Sequence, residues 1–199
     1  EAAPTQFFQL VAEIGEIRMV DDLAALKKSS TALLILVQPR MLSPQELVAL
    51  DKWVRAGGRT IIFADPALQW PSEFPLGDNR RPLFTSFLSP LFKHWGLELV
   101  MPMETDEEQA TVVEVGGQRL SVVSHGNWVQ KEAKGYCRID ASLLMANCKV
   151  GKGKAILIAD ADMLEDAQLG AGWVSSGQAI WLHDVIANLM HDRPLPEGL

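Results

Sequence analysis

The first half of the chain contains two short, almost continuous apolar runs with a helical stripe between them. Thr31–Val37 and Arg59–Ala64 are typical of strands that are buried on both faces. Between these runs, apolar side chains recur at the spacing of one helix face, at Leu47, Leu50, Trp53 and Val54. Residues 31–66 therefore predict a strand–helix–strand unit, with two parallel strands and a right-handed crossover.

The ends of this helix are also marked in the sequence. Ser43 and Glu46 form a capping box, and Pro44 stands at the first helical position. Gly57 and Gly58 end the helix, because glycine accepts the left-handed conformation that follows many helices.

Flanking segments extend the alternation of helices and strands. Upstream, we expect a helix over residues 4–14, a strand Glu16–Val20 and a short helix Leu23–Lys28. Three successive strands that alternate with helices predict a doubly wound α/β sheet. After a loop at residues 67–84, the predicted elements are a helix capped by Thr85 or Ser86, a strand Leu97–Val100, a strand Ala155–Ala159 and a final helix capped by Ser175 or Ser176.

Residues 101–150 have a different pattern, with short β-like segments. Thr111–Val115 and Arg119–Ser124 flank a Gly-Gly pair, which is a strong hairpin signal. Two further β-like segments are Tyr136–Ile139 and Leu143–Val150. We interpret residues 1–199 as one α/β domain with a mostly parallel sheet, and residues 101–150 as a small antiparallel extension.

Composition narrows the range of partners. The formal net charge of −7 argues against a general nucleic-acid or anionic-membrane surface. The sequence has no run of about 18 apolar residues that could span a bilayer. Its first residues lack the features of a signal peptide, and the alternative is a processed chain that has lost a leader or an anchor.

Cys137 and Cys148 fit no zinc pattern. The favoured interpretation is therefore two buried thiols, and the alternative is one disulfide bridge in an oxidising compartment.

Polar residues follow three of the predicted strands. Gln38 and Arg40 follow the first, Asp65 the second, and Asp160 and Asp162 the last. Because open α/β sheets bind ligands at the carboxyl ends of their strands, these side chains predict a ligand-binding rim. The alternative is that the aspartates cap the turns that follow the strands.

The loop at residues 67–84 is placed to cover this rim with Trp70 and Arg80. An arginine pair such as Arg80 and Arg81 can clamp an anion. The pair can equally pin its own loop by binding a nearby acid such as Asp78.

Motifs that would name a reaction are absent from the sequence. It has no GxSxG elbow, no P-loop, no GxGxxG segment and no metal-binding cluster of histidines or cysteines. We therefore expect no catalytic residue, no cofactor and no bound metal.

Three stretches carry a family resemblance. LLILVQPRMLSPQELVALDKWVRAGGRTIIFADP is similar to the start of a domain in GldG, an auxiliary protein of a gliding-motility ABC transporter, and in an intraflagellar-transport protein. GKGKAILIADADMLED and LHDVIANLMHDRP resemble the closing strand and helix of that domain. The resemblance implies a three-layer fold like flavodoxin and class I glutamine amidotransferases, without the catalytic cysteine and histidine.

It further implies a periplasmic or extracytoplasmic auxiliary domain, attached to the membrane through segments absent from this chain. Its partners would be the permease or other membrane components, with a small, sugar-like or glycan ligand as the second option. The candidate ligand-binding residues are Gln38, Arg40, Asp65, Trp70, Arg80, Asp160 and Asp162. The alternative function is a hydrolase or transferase with an unrecognised acid/base pair, for which His125 and Asp160 are the residues to test.

Overall fold

The computed structural model describes residues 5–26, 32–75, 77–78, 80–102, 110–132, 135–166 and 176–194. The α-helices within these ranges are α1 (Gln6–Ile14), α2 (Pro44–Arg55), α3 (Ser89–His94) and α4 (Gly177–Met190). The strands are β1 (Leu34–Val37), β2 (Arg59–Phe63), β3 (Leu97–Val100), β4 (Thr111–Val115), β5 (Gln118–Val122), β6 (Asn127–Gln130), β7 (Cys137–Ile139), β8 (Met145–Val150) and β9 (Gly153–Ile158).

The main sheet has five strands in the order β1-β2-β9-β8-β7. β1, β2 and β9 run parallel, whereas β8 and β7 are antiparallel to their neighbours, so the sheet is mixed rather than mostly parallel. Two separate antiparallel ladders join β3 to β6 and β4 to β5. The α/β class is confirmed, and so is the strand–helix–strand unit, as β1, α2 and β2; Thr31 lies outside the described residues.

The capping box at the start of α2 is also confirmed. The Ser43 hydroxyl accepts the Glu46 N–H at 3.3 Å, and the Ser43 N–H donates to the Glu46 carboxylate at 2.9 Å. Leu50, Trp53 and Val54 form the buried stripe of the helix. The cap fixes where α2 starts, and the stripe fixes which face it turns to the core.

Gly153 lets α2 pack closely over the start of β9. A methyl group at this position would collide with the carbonyl oxygens of Val54 and Gly58. Since every other residue carries a Cβ, only glycine allows this approach. The close packing explains the second glycine of the Gly-Lys-Gly-Lys segment.

Residues 16–20 do not form the predicted strand. They follow α1 as irregular backbone without a strand partner, and Met19 and Val20 are 79% and 41% exposed. The alternation of polar and apolar residues is present, but no strand pairs with the segment and most of its side chains stay outside the core. The first of the three expected strands is therefore absent, and β1 is the first strand of the main sheet in the described residues.

Three other elements differ from the prediction. Leu97–Val100 is a strand, but it pairs with β6 and does not extend the main sheet. The helix expected from Thr85 or Ser86 begins at Ser89, because the Ser86 hydroxyl accepts the Leu88 N–H within a turn before it. The short helix Leu23–Lys28 is a single 3₁₀ turn at Leu23–Ala25, and Lys28 lies outside the described residues.

Cys137 and Cys148 form a disulfide, so the favoured interpretation of two free thiols is wrong. The two cysteines face each other directly in the antiparallel register of β7 and β8. The bridge therefore ties the edge strand β7 to the main sheet.

Candidate functional site

Three aspartates meet where two neighbouring strands of the main sheet end. Asp65 follows β2, and Asp160 and Asp162 follow β9. One carboxylate oxygen from each lies within 4.8 Å of the other two. All three side chains are buried. The parallel pairing of β2 with β9 brings them together, as the sequence predicts.

Asp65 connects its own turn to the turn after β9. One carboxylate oxygen accepts the Ala67 N–H at 2.8 Å, and the other accepts the Ala161 N–H at 3.0 Å. The residue thus caps the turn that follows β2, as the alternative interpretation predicts, and also holds the neighbouring strand end.

The other two aspartates hold loops in the same way. Asp160 accepts the N–H groups of Met163 at 2.9 Å and Val123 at 3.1 Å. Both oxygens of Asp162 lie within 3.0 Å of the Gln69 N–H. The cluster therefore fixes the loops after β2, β5 and β9 around one point.

Burial makes these carboxyl groups bind protons unusually tightly. It raises the pKa of Asp65 to about 6, although hydrogen bonds from backbone amides oppose the shift. Burial and the neighbouring Asp65 charge raise the pKa of Asp162 to about 7. The same two causes raise the pKa of Asp160 well above its usual range. Because their charges oppose one another, the three carboxyl groups titrate as a coupled group.

The cluster has a donor set that could hold a hard cation, since carboxylate oxygens are the ligands that such ions prefer. Backbone amides already occupy these oxygens, however, and solvent does not reach them. The arrangement accounts for the positions of the loops without any ion.

Gln38 binds the backbone on both sides of the Asp65 turn. Its side-chain oxygen accepts the Asp65 N–H at 2.9 Å, and its amide nitrogen donates to the Leu83 carbonyl at 2.9 Å. This buried side chain therefore joins the ends of β1 and β2 to the long loop. It lies beside the aspartates but turns its polar atoms to backbone groups.

Arg40 lies away from the aspartate cluster. Its guanidinium pairs with Glu46 at 2.6 Å and donates to the Asp21 carbonyl at 2.9 Å. The hydrogen bond from Arg40 lowers the pKa of Glu46 to about 2. This arginine thus supports the cap of α2.

Arg80 pins its own loop. It pairs with Asp78 at 2.7 Å and lies over the Phe74 ring, 4.1 Å from the ring centre. The loop-pinning alternative therefore describes its position.

Trp70 lies in a groove that the sequence did not indicate as a site. The groove has a volume of about 910 Å³ and runs beside β1. Residues 16–20 and α1 line it together with the strand, and so do Ile186 and Met190 of α4. Its one signal in the sequence is the unpaired, apolar Glu16–Val20 segment.

A family model described as an ABC-type uncharacterized transport system, ABC_transp_aux, matches residues 3–135. The chain belongs to this family. The assignment confirms the expected class, an auxiliary domain of an ABC-type transport system. No curated protein matches the ABC_transp_aux chain.

Solved structures resemble the ABC_transp_aux chain at the level of the fold. The mmIFT52 N-terminal domain aligns with a TM-score of 0.54 and 14% identity, over 85% of this chain and 83% of that one. The exo-β-1,4-mannosidase Op5Man5 from Opitutaceae bacterium strain TAV5 aligns with a TM-score of 0.51 and 13% identity. That match covers 79% of this chain but 26% of the mannosidase. Among the described helices, none has the length and apolar character needed to cross a membrane.

Proposed function

We propose that this ABC_transp_aux domain is non-enzymatic and works outside the cytoplasm, where it holds another component of its transport system or a small ligand. The match of the family model to residues 3–135 carries the proposal. Auxiliary domains act through what they bind. The direct test is to purify the tagged, full-length gene product from detergent-solubilised membranes. Co-purification of an ABC permease or ATPase is expected, and recovery without any transport component would contradict the proposal.

The Cys137–Cys148 disulfide supports the extracytoplasmic location. Disulfides persist in oxidising compartments and are rare in the cytosol. Thiol alkylation of protein that is denatured as the cells are lysed should leave both cysteines unlabelled unless a reductant is added first. Labelling of both cysteines without a reductant would place the domain in a reducing compartment.

The strand-end rim remains our proposed site for a small ligand. Its aspartates are buried and Gln38 faces backbone, so the groups available to a sugar-like ligand are the exposed Arg40 and Arg80 and the partly buried Trp70. A thermal-shift screen of mono- and oligosaccharides tests this. Stabilisation that is lost in Arg80→Ala and Trp70→Ala supports the rim, and equal stabilisation of wild type and variants removes it.

We also propose a GldG-like role and a three-layer arrangement of the flavodoxin and amidotransferase type. The sequence resemblance supports both proposals, and the fold comparison is not used for them. An experimental structure of the full-length gene product tests both, since helices on one face of the sheet alone would contradict the three-layer arrangement.

A hydrolase or transferase is the second candidate, because burial raises the pKa of Asp162 to about 7. General acids and bases work best with a pKa near the working pH. Turnover of any substrate class that is lost in Asp162→Asn and Asp160→Asn, but not in the surface variant Asp184→Asn, would favour the enzyme. Equal turnover in all three variants would exclude these carboxyl groups from catalysis.

A further inference from the structure

We infer that the groove beside β1 takes an extended segment of a partner protein as an added β-strand, with apolar residues at alternate positions and a basic residue at one end. The inference rests on the proposed function, because it names the surface and the partner chemistry that a transport component would use.

Among the described residues, β1 is the edge strand of the main sheet, since β2 is its neighbour on one side and the strand order ends there. All four residues of β1 line the groove. The Gln38 N–H donates to Phe63 of β2 at 2.9 Å. Because backbone groups alternate sides along a strand, Ile35 and Val37 direct their N–H and C=O groups to the open edge. Such an edge is a template for another strand.

The groove has the dimensions of one extended segment. β1 is four residues long, about 13 Å at the rise of a strand. The strand lines the groove of about 910 Å³, and so do Trp70 and Pro71. Val11 and Ile14 of α1 line it together with Ile35 and Val37. The side chains that an occupant would touch are therefore mostly apolar.

Residues 16–20 line the same groove as β1 but do not pair with its edge. Among the described residues, no strand pairing and no backbone hydrogen bond joins residues 16–20 to β1. An added strand would pair with β1 and cover Met19 and Val20, which are both exposed.

Trp70 offers a further donor. Its indole nitrogen is buried and has no hydrogen-bond partner. Of the five side-chain atoms in this condition among the described residues, it is the one whose residue lines the groove. A buried donor without an acceptor is costly, and a backbone carbonyl of an occupant would satisfy it once the Trp70 ring turns its nitrogen into the groove.

The charges of the groove indicate the sign of the partner. Three acidic residues line it, Glu16, Glu165 and Asp166, against the single basic residue Arg18. The Asp166 carboxylate also accepts the Gln6 N–H at 2.9 Å. The lining thus has two more negative than positive groups. A lysine or arginine at one end of the added strand complements this surface and fixes its orientation.

Peptides that isolate these features test the inference. The probes are fluorescein-labelled heptapeptides, Lys-X-Ser-X-Ser-X-Ser-amide with X as valine, leucine or phenylalanine, and copies N-methylated at every second residue. Binding is measured by anisotropy and by amide hydrogen exchange of the protein. We expect at least one peptide to bind and to slow exchange at Ile35 and Val37, with Leu36 already protected in the free protein. N-methylation of the face that pairs with β1 should abolish binding.

Variants of the groove separate strand addition from other modes of binding. Ile35→Pro removes an edge N–H that β2 does not use, and it should weaken binding about tenfold or more. Trp70→Phe keeps the ring and removes the donor, with an expected loss of roughly three- to tenfold. Glu16→Lys should weaken binding of the lysine peptides, whereas Glu13→Lys, at an exposed position of α1 that does not line the groove, should not. Circular dichroism confirms that each variant is folded.

Each remaining outcome would overturn the inference. The absence of binding below about 1 mM for the whole panel would do so, as would binding that Ile35→Pro and Trp70→Phe leave unchanged. Displacement of the peptides by dodecanoate without protection of Ile35 and Val37 would assign the groove to an acyl chain. Self-association that Ile35→Pro abolishes would assign it to a second copy. If peptide binding fails while the permease or ATPase still co-purifies, the proposed function stands and this surface is wrong.

Discussion

The carboxylate of Asp65 accepts a hydrogen bond from the backbone N–H of Ala161, 96 positions further along the chain, at 3.0 Å. Its other oxygen binds the Ala67 N–H, and the side chain is fully buried. One residue thus joins the turn after β2 to the turn after β9. The arrangement makes the strand-end aspartates part of the support of the fold.

Asp65→Ala should lower the free energy of unfolding by about 2 to 6 kcal/mol, because it leaves two buried N–H groups without acceptors. Urea unfolding followed by circular dichroism measures the change. Asp184→Ala, on the exposed surface of α4, is the matched control and should stay within about 0.5 kcal/mol. A loss of the same small size in both variants would show that the Asp65 bonds do not support the fold.

Stability should fall as the pH rises from about 4 to 8. Burial raises the pKa of Asp65 to about 6 and that of Asp162 to about 7, so the folded state binds protons more tightly than the unfolded chain. Their stabilisation is complete below the unfolded pKa and is lost as the pH passes the folded pKa. Thermal melts should show a lower Tm at pH 8 than at pH 5, with a smaller difference in Asp162→Asn. A Tm that rises over this range would contradict the assignment.

Reduction of the Cys137–Cys148 bridge should destabilise the protein by about 3 kcal/mol, since the bridge closes a loop of 11 residues in the unfolded chain. Calorimetric scans with and without dithiothreitol measure the effect. The double variant Cys137→Ala, Cys148→Ala should have a Tm as low as that of the reduced wild type, and dithiothreitol should not change it. An equal Tm for oxidised and reduced wild type would show that the bridge adds no stability.

Gly153→Ala should cost at least about 1 to 3 kcal/mol, because the methyl group meets backbone of α2 that cannot move away easily. Gly177→Ala is the control, since its methyl group would come no closer than 3.4 Å to Gln118 at the first turn of α4. Chemical unfolding should show a loss for the first variant and no loss for the second. Equal stability would mean that β9 and α2 have room to separate.

The parts of the fold that the sequence predicted depend on short-range signals. The α2 cap lies within four residues, and the strands β1, β2 and β9 are apolar runs that need a buried position whatever their partners. Strand partners depend on distant residues. For that reason Leu97–Val100 was predicted as a strand but not as the partner of β6, and Glu16–Val20 was predicted to pair although it does not.

The candidate site likewise has features that the sequence predicts and features that it does not. The aspartates were predicted correctly as neighbours because they directly follow parallel strands. Arg40 and Arg80 were placed by the same rule, but their long side chains reach the nearer acids Glu46 and Asp78. The Cys137–Cys148 bridge has a signal in the sequence. Two successive β-like runs carry the cysteines, and in the hairpin that these runs form the register sets the two residues opposite each other. The groove could not be predicted from the sequence, since it depends on how α1 packs relative to β1.

A photo-crosslinking amino acid at position 19, in the full-length gene product inside living cells, tests most directly whether this domain docks a transporter component. Met19 is 79% exposed at the groove, and Ile180, 56% exposed on α4, is the control position. We predict an adduct from position 19, identified by mass spectrometry as the permease, ATPase or another component of the same transport system, and none from position 180. Adducts from position 180 alone would keep the transport role but place the docking surface elsewhere. Folded, membrane-recovered protein with no transport component crosslinked from either position would contradict the proposed function.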